Sequence, residues 1–175
     1  PGGGGLVRVG VGGLVKNIPG RGAVGVGVTG DDSYDIYITR TRIEGLAARK
    51  AAQKITEPEL AALEEIVELQ EFYLTRRDVM QVWHLDTRFH EQLYESCRSR
   101  PLRQMLTMFH NYIQKARETS LRVGRATNST AEHRALLEAI KRKDPDEAEQ
   151  CMATHVNNAR DSFFEQQRDE ETPAE

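Results

Sequence analysis

The sequence is poor in several features that mark common classes of protein. Its 175 residues contain only two cysteines, Cys97 and Cys151, too few and too widely spaced for a disulfide framework or a zinc knuckle. No apolar run is long enough to span a bilayer, and the N-terminus lacks the charged-then-apolar pattern of a signal peptide. The net charge of −3 argues against a surface that binds polyanions. These absences predict a reduced, cytoplasmic, globular protein.

Glycine is concentrated at one end of the chain. Most of the 14 glycines lie in residues 1–30, which contain almost no helix-forming run. Two short strands around a Pro-Gly-Arg-Gly turn are predicted by the stretch GLVKNIPGRGAV, residues 13–24. A flexible linker is the alternative, but valine and leucine are more frequent here than in a pure spacer. The segment is therefore interpreted as a small β-hairpin and a linker.

From residue 31 onward, apolar residues recur at helical spacing with charged residues between them. The predicted helices span about 33–54, 56–75, 78–96, 101–120, 129–142 and 144–167. Three of them begin at capping signals, which are Thr56 with Glu59, Ser129 with Glu132, and Asp144 with Pro145 and Glu147. The pattern predicts an all-α fold, an antiparallel bundle of six or so helices over residues 31–168, followed by a frayed acidic tail, 169–175.

Four polar residues lie on helix faces that should otherwise be apolar, and their types are those of metal ligands. Asp86 and His90 are one helical turn apart, and His133 and His155 each stand three or four residues from apolar neighbours. A buried, unpaired carboxylate is costly and an imidazole lone pair needs a partner, so we expect a shared divalent cation. A polar core network is the alternative. Three nitrogens and one carboxylate oxygen suit Zn or Ni first, then Mn or Fe.

Arg40 is a further polar residue on an inward stripe, which it shares with Ile36 and Ile43 of the first helix. An inward arginine needs an anion. One interpretation is a buried salt bridge to Asp35 or Glu44, and the other is a bidentate contact with a ligand's carboxylate whose second oxygen approaches the metal. Weaker candidates for this ligand site, on the fourth and sixth helices, are Asn111, Arg117 and Asn157.

Several pieces of the sequence, taken in order, resemble a known family of bacterial transcription regulators. They are GLVKNIPGRGA (13–23), YDIYITR (34–40) with IEGLAAR (43–49), LDTRFH (85–90), EHRALLEAI (132–140), and Asp144 with Ala148-Glu149 before His155. The first piece resembles the wing that ends a winged helix-turn-helix in the GntR family. The others resemble the effector domain of its FadR subfamily, the FCD domain. The match covers roughly residues 13–165.

The resemblance implies a ligand-sensing domain of a homodimeric regulator. In the family's metal-binding members the positions matched by the Asp/His set hold the ion, and the resemblance assigns a small organic acid to the position of Arg40. The acid would modulate DNA binding by the parent protein. The three DNA-reading helices that precede the wing have no counterpart in this sequence, and residues 1–30 are interpreted as the remaining wing plus linker. Lys16 and Arg21 would then be wing cations that contact DNA without specifying much sequence.

Two functions of other classes remain open on the residues alone, a metal-dependent enzyme and a structural, metal-stabilised dimerisation domain. Against an enzyme, the sequence contains no Glu-x-x-His and no His-Glu-x-x-His. We also expect no spare acidic residue to face inward near the four ligands as a general base. The remaining histidines, His84 and His110, are interpreted as surface residues or as residues packed behind the ligands.

Overall fold

The computed structural model describes the backbone of residues 15–18, 22–25, 30–120 and 123–171, and the side chains of residues 31–113 and 124–168. Within these residues the chain forms one hairpin and six helices. In chain order they are β1 (Val15–Ile18), β2 (Gly22–Gly25), α1 (Gly30–Lys54), α2 (Glu57–Thr75), α3 (Val79–Ser96), α4 (Arg100–Ser120), α5 (Val123–Lys141) and α6 (Pro145–Glu171). The predicted all-α helical bundle is confirmed.

The strands β1 and β2 pair antiparallel, with Val15 opposite Gly25 and Ile18 opposite Gly22. They lie where the sequence predicted two short strands. The predicted turn between them lies outside the described residues. The C-terminal helix is longer than predicted, because α6 runs to Glu171 and so includes the first residues of the acidic tail.

Local capping chemistry explains where three helices begin. The backbone N–H of Thr56 donates to Glu59 Oε2 at 2.9 Å, which forms one half of the predicted capping box of α2. Asp78 accepts a hydrogen bond from the backbone N–H of Gln81 at the start of α3. Asp144 caps α6 in the same way, because its Oδ1 accepts from the Glu147 backbone N–H at 3.0 Å.

The predicted start of the fifth helix is wrong. α5 begins at Val123, six residues before Ser129, so Ser129 and Glu132 lie inside the helix. Their side chains do not cap it, because Ser129 bonds to Asp86 and Glu132 bonds to Arg125. Ser129 is held by a residue of α3, and Glu132 by an arginine seven residues earlier in α5 and by His155 of α6, so neither side chain is left to cap the helix.

The bundle is closed by tight packing of α1 against α6. A Cβ atom at Gly45 of α1 would lie 3.2 Å from Glu149 Cγ and 3.3 Å from the Glu149 carbonyl oxygen. Glycine therefore allows the two helices to approach closely at this point. In the described part of the chain, no helix is both long and apolar enough to cross a membrane.

The apolar core includes Leu63, Val67, Phe89, Leu136, Ile140 and Met152, all fully buried. Polar side chains lie within the same interior. The buried ones include Arg40, Glu44, Gln70, Asp86, His90, His110, Ser129, His133 and His155. Buried polar groups need hydrogen-bond or ion-pair partners, so this interior must contain a network of polar contacts.

Candidate metal centre

The structure brings together the four side chains that the sequence singled out. Asp86 and His90 come from α3, His133 from α5 and His155 from α6, and one ligand-type atom of each lies within 4.8 Å of all the others. The His90 and His155 Nε2 atoms are 3.1 Å apart, and His133 Nε2 is 3.6 Å from Asp86 Oδ1. All four residues are at most 4% exposed. This cluster has the composition and the burial of a site that could hold a divalent ion.

Each histidine of the cluster is held at its Nδ1 atom by a side-chain oxygen. The pairs are His90 with Glu44 Oε2 at 3.0 Å, His133 with Gln70 Oε1 at 3.0 Å, and His155 with Glu132 Oε2 at 2.8 Å. An ionised carboxylate or an amide oxygen only accepts hydrogen bonds, so the Nδ1 atoms of His133 and His155 carry a proton and donate it. The negative charge of Glu44, 3.0 Å from His90 Nδ1, favours the same tautomer for His90. In a neutral imidazole of this tautomer the lone pair is on Nε2, the atom that faces the cluster.

The aspartate and one imidazole ring have additional supports. Ser129 Oγ donates to Asp86 Oδ1 at 3.1 Å, which fixes the carboxylate from α5. The Phe89 ring stacks on the His133 ring, with centroids 3.9 Å apart and an interplanar angle of 15°. Both contacts restrict the side-chain rotation of potential ligands and so preorganise the cluster.

Glu132, which holds His155, is itself held firmly. Arg125 Nη1 and Nη2 each donate to one of its oxygens at 3.0 Å, a bidentate pair. Asn158 Nδ2 donates to the same carboxylate at 2.8 Å. The result is a chain of contacts from Arg125 through Glu132 to His155.

A second chain of contacts runs from Arg40 through Glu44 to His90. Arg40 Nε donates to Glu44 Oε1 at 2.5 Å, so the salt bridge of Arg40 is formed with Glu44 and not with Asp35. Burial alone would raise the pKa of Glu44, but the Arg40 guanidinium and His90 hold that pKa well below its usual range. Arg40 Nη1 is buried and has no hydrogen-bond partner among the described residues.

The two carboxylates correct one expectation from the sequence. We expected no spare acidic residue near the four ligands, yet Glu44 is fully buried beside His90 and Glu132 contacts His155. Both bond to Nδ1 atoms, on the side of each ring away from the cluster. They therefore orient the histidines, and neither is placed as a general base at the centre.

The candidates for a ligand site on α4 and α6 occupy different environments. Asn157 on α6 is half-buried, and its Oδ1 accepts a hydrogen bond from Thr41 Oγ1 at 3.1 Å. Asn111 on α4 is exposed, so the structure does not place it in the buried interior. Arg117 lies in α4, but its side chain is outside the described ones, as is that of Lys16 on β1. Arg21 is outside the described residues altogether.

His110, the neighbour of Asn111, faces the interior from α4. It is 4% exposed, and its ring centroid lies 5.8 Å from that of His90. Burial, then the nearby His90 and Arg40, lower the pKa of His110 to about 3, so this imidazole is neutral near pH 7. His84 is exposed on α3. Both positions agree with the two interpretations given to these histidines from the sequence.

Sequence reasoning missed the residues that orient the ligands, which are Glu44, Gln70 and Glu132. Gln70 continues the buried stripe of Leu63, Ile66 and Val67 on α2, the same signal that identified the histidines. Glu44 stands one turn from the inward Arg40 and was considered only as its partner. Glu132 precedes His133 and was assigned to a cap.

Known proteins of similar sequence and fold define the class of this one. Residues 35–158 match the family model of the FCD domain. The chain is 27% identical over 148 residues to the uncharacterized HTH-type transcriptional regulator YdhC of Bacillus subtilis, covering 83% of this chain and 66% of that protein. It is 31% identical over 120 residues to the galactonate operon transcriptional repressor of Escherichia coli, covering 67% and 51%. The chain thus spans between half and two-thirds of the length of these curated relatives.

Solved structures show the same fold. E. coli McbR/YncC superposes with a TM-score of 0.76 at 18% identity, covering 88% of this chain and 74% of that one. Streptococcus agalactiae GntR gives 0.65 at 22% identity, covering 85% and 75%. The chain belongs to the FCD domain family of GntR-type transcriptional regulators, which are not enzymes.

Proposed function

We propose that residues 31–168 are the effector-sensing domain of a transcription regulator and that Asp86, His90, His133 and His155 bind one divalent metal ion. The observation that carries the proposal is the orientation of the three imidazoles. His155 Nδ1 donates to Glu132, and the charge of Glu44 lies 3.0 Å from His90 Nδ1, so the Nε2 lone pairs of His90 and His155 face each other at 3.1 Å. Two such lone pairs repel unless a cation lies between them. A proton would satisfy that pair alone, whereas a metal ion would satisfy all four ligands.

The donor set favours Zn or Ni, with Mn or Fe as further candidates. Two nitrogens on a tetrahedral zinc ion lie about 3.3 Å apart, given Zn–N bonds of about 2.0–2.1 Å. The 3.1 Å separation of the His90 and His155 nitrogens is close to this value. An octahedral ion would instead keep positions that accept water or a carboxylate oxygen, and so supply part of an effector site.

The effector that we propose is a small organic acid whose carboxylate is bound by Arg40. The buried Arg40 Nη1 has no hydrogen-bond partner among the described residues, so it can donate to such an oxygen. Glu44 links Arg40 to His90, which locates the guanidinium beside the cluster. His110 is also buried beside His90, which adds a polar side chain to this part of the interior. Sugar acids are a first class to test, because one relative is a galactonate operon repressor.

We further propose that two copies meet through a surface of α1 and α4, called the α1–α4 face below. Its exposed apolar α1 side chains are Ile38 and Leu46, at 40 and 41%. The neighbouring α4 contributes a groove of about 580 Å³ whose lining includes Met105, Met108 and Tyr112. Apolar side chains exposed on two adjacent helices favour an interface. The dimer would then set the spacing of two DNA-reading domains in the parent protein.

Metal analysis of the purified chain tests the proposed site. We expect about one divalent ion per chain, and we expect His133→Ala and His155→Ala to lose the ion and melt at a lower temperature, because the site joins three helices. His84→Ala is the matched control, since His84 is an exposed histidine of α3, and it should keep the metal. Equal metal content in the wild type and in the His133→Ala/His155→Ala double variant would rule out the site.

A further inference from the structure

We propose that Glu44 is a positioning residue that couples effector binding at Arg40 to metal affinity at His90. This role rests on the proposed metal and effector site. Glu44 is fully buried on α1, and its two oxygens lie beside two different residues. Oε1 accepts from Arg40 Nε at 2.5 Å, and Oε2 lies 3.0 Å from His90 Nδ1. One carboxylate therefore bridges the residue proposed to hold the acid and a residue proposed to hold the ion.

The coupling follows from the charge that the two partners share. A carboxylate that accepts from Nδ1–H increases the electron density at Nε2 and so strengthens that nitrogen as a metal ligand. Arg40 draws on the same negative charge through the opposite oxygen of Glu44. When an effector carboxylate binds Arg40, it neutralises part of the guanidinium charge. More of the negative charge of Glu44 is then left to polarise the His90 ring. Metal affinity should rise, and by linkage the metal should raise the affinity for the acid by the same factor.

The contacts from Arg125 through Glu132 to His155 supply a built-in comparison. Arg, Glu and His follow one another in the same order, but both terminal nitrogens of Arg125 are already bonded to Glu132. Glu132 also accepts from Asn158. This second carboxylate should therefore support His155 and metal affinity without responding to an acid bound at Arg40. The two glutamates are a matched pair: Glu44 lies between Arg40 and His90, whereas Glu132 lies between Arg125 and His155.

The experiment measures zinc affinity of the full chain by competition with a chromophoric chelator. Each protein is titrated in sodium acetate and in sodium chloride of equal ionic strength, with the chelator calibrated in both. Acetate is the smallest carboxylate and serves as the probe. For the wild type we expect zinc affinity to be at least about fivefold higher in acetate. A purely structural role would change the affinity equally in both salts, so the ratio of the two affinities is the informative quantity.

Variants of Glu44 and Glu132 separate the proposed coupling from simple support of a histidine. Glu132→Gln should bind zinc about tenfold more weakly in both salts and retain the wild-type ratio. Glu44→Gln should also bind more weakly, but its ratio should fall towards one. Because Glu44→Gln leaves Arg40 buried without its counter-charge, Glu44→Asp is the second variant, with Glu132→Asp as its control. Asp keeps the charge but is one methylene too short to reach both partners, so the ratio should fall here as well.

Each outcome is decisive. A wild-type ratio near one overturns the coupling, as does a ratio that both Glu44 variants retain or that the Glu132 variants lose to the same extent. A wild-type chain that binds no zinc overturns the proposed metal site, and the coupling with it. Zinc binding that is indifferent to acetate overturns the coupling alone. Loss of the ratio only in the Glu44 variants supports the proposal.

Discussion

Ser129 of α5 donates a hydrogen bond to Asp86 of α3, with 3.1 Å between Oγ and Oδ1, and both residues are 4% exposed. Replacing Ser129 by Ala should lower the free energy of unfolding by about 1–2 kcal/mol, because the buried carboxylate loses a donor. The same change should weaken zinc binding about tenfold, since Asp86 is less firmly oriented. Urea unfolding in the presence of a chelator and zinc competition would measure the two effects separately.

Thr130 provides the control for this prediction. It is buried beside Ser129, but its Oγ1 atom has no hydrogen-bond partner among the described residues. Thr130→Val keeps the shape and removes only the hydroxyl, so stability and zinc affinity should change little. Equal losses in Ser129→Ala and Thr130→Val would show that the bond to Asp86 is not the cause.

A second prediction concerns Arg40. At one hundred times its dissociation constant, an effector acid should stabilise the wild type by about 2.7 kcal/mol, and Arg40→Ala should abolish this shift while the metal stays bound. Arg40→Ala itself will be less stable, because Glu44 loses its buried counter-charge. The shift must therefore be measured for each protein against its own ligand-free melting temperature. A thermal-shift screen of sugar acids, dicarboxylates, tricarboxylates and amino acids is suitable.

Arg49 is the matched arginine on α1. Its guanidinium is one-third exposed and pairs with Asp146 and Glu149 at the surface. Arg49→Ala should respond to the acid as the wild type does. If no acid in the screen shifts the wild type, or if Arg40→Ala keeps the full shift, the assignment of Arg40 to the carboxylate is wrong.

A third prediction concerns the α1–α4 face. Ile38→Glu introduces a charge where we propose that two copies meet, so the variant should be monomeric at concentrations where the wild type is a dimer. Light scattering after size-exclusion chromatography would measure the mass of both. Met80 on α3 is 62% exposed, and Met80→Glu should leave the dimer intact. A dimeric Ile38→Glu variant would place the interface elsewhere.

A fourth prediction concerns DNA. The chain carries a net charge of −3, and Lys16 and Arg21 are the wing cations that the resemblance predicts. We expect it to bind duplex DNA weakly and without sequence preference, whereas a protein that joins it to a complete winged helix should bind its operator tightly and in a salt-sensitive way. Fluorescence anisotropy with operator and scrambled duplexes would distinguish the two. Specific binding by the chain alone would mean that its DNA contacts lie outside the wing.

The sequence predicted the bundle and the four polar residues of the cluster because both depend on local periodicity. A histidine three or four residues from apolar neighbours must face the interior, and this holds before any packing is known. The N-caps Thr56 and Asp144 are local for the same reason, since each bonds to a backbone or side-chain group three residues away. The structure therefore contains both of these predicted caps.

The residues that orient the histidines, Glu44, Gln70 and Glu132, could not be predicted in the same way, because they act through contacts between helices that periodicity does not encode. Glu44 and Glu132 each have an arginine on their own helix, Arg40 four residues before and Arg125 seven residues before. The partners that periodicity does not encode are the histidines on other helices, His90 on α3 and His155 on α6. The start of α5 was misplaced for a related reason: a long-range bond to Asp86 outweighed the capping role of Ser129. Periodicity also did not distinguish Asn111, which is exposed, from its neighbour His110, which is buried.

The oxygens that hold the histidines come from α1, α2 and α5, while the four potential ligands come from α3, α5 and α6. An ion at the centre would therefore be tied, directly or through one hydrogen bond, to five of the helices described. Opening any one of these helices would disturb the others. With the ion bound, backbone amides in all five should exchange with solvent deuterium through one concerted event, and chelation should break that event into several smaller ones.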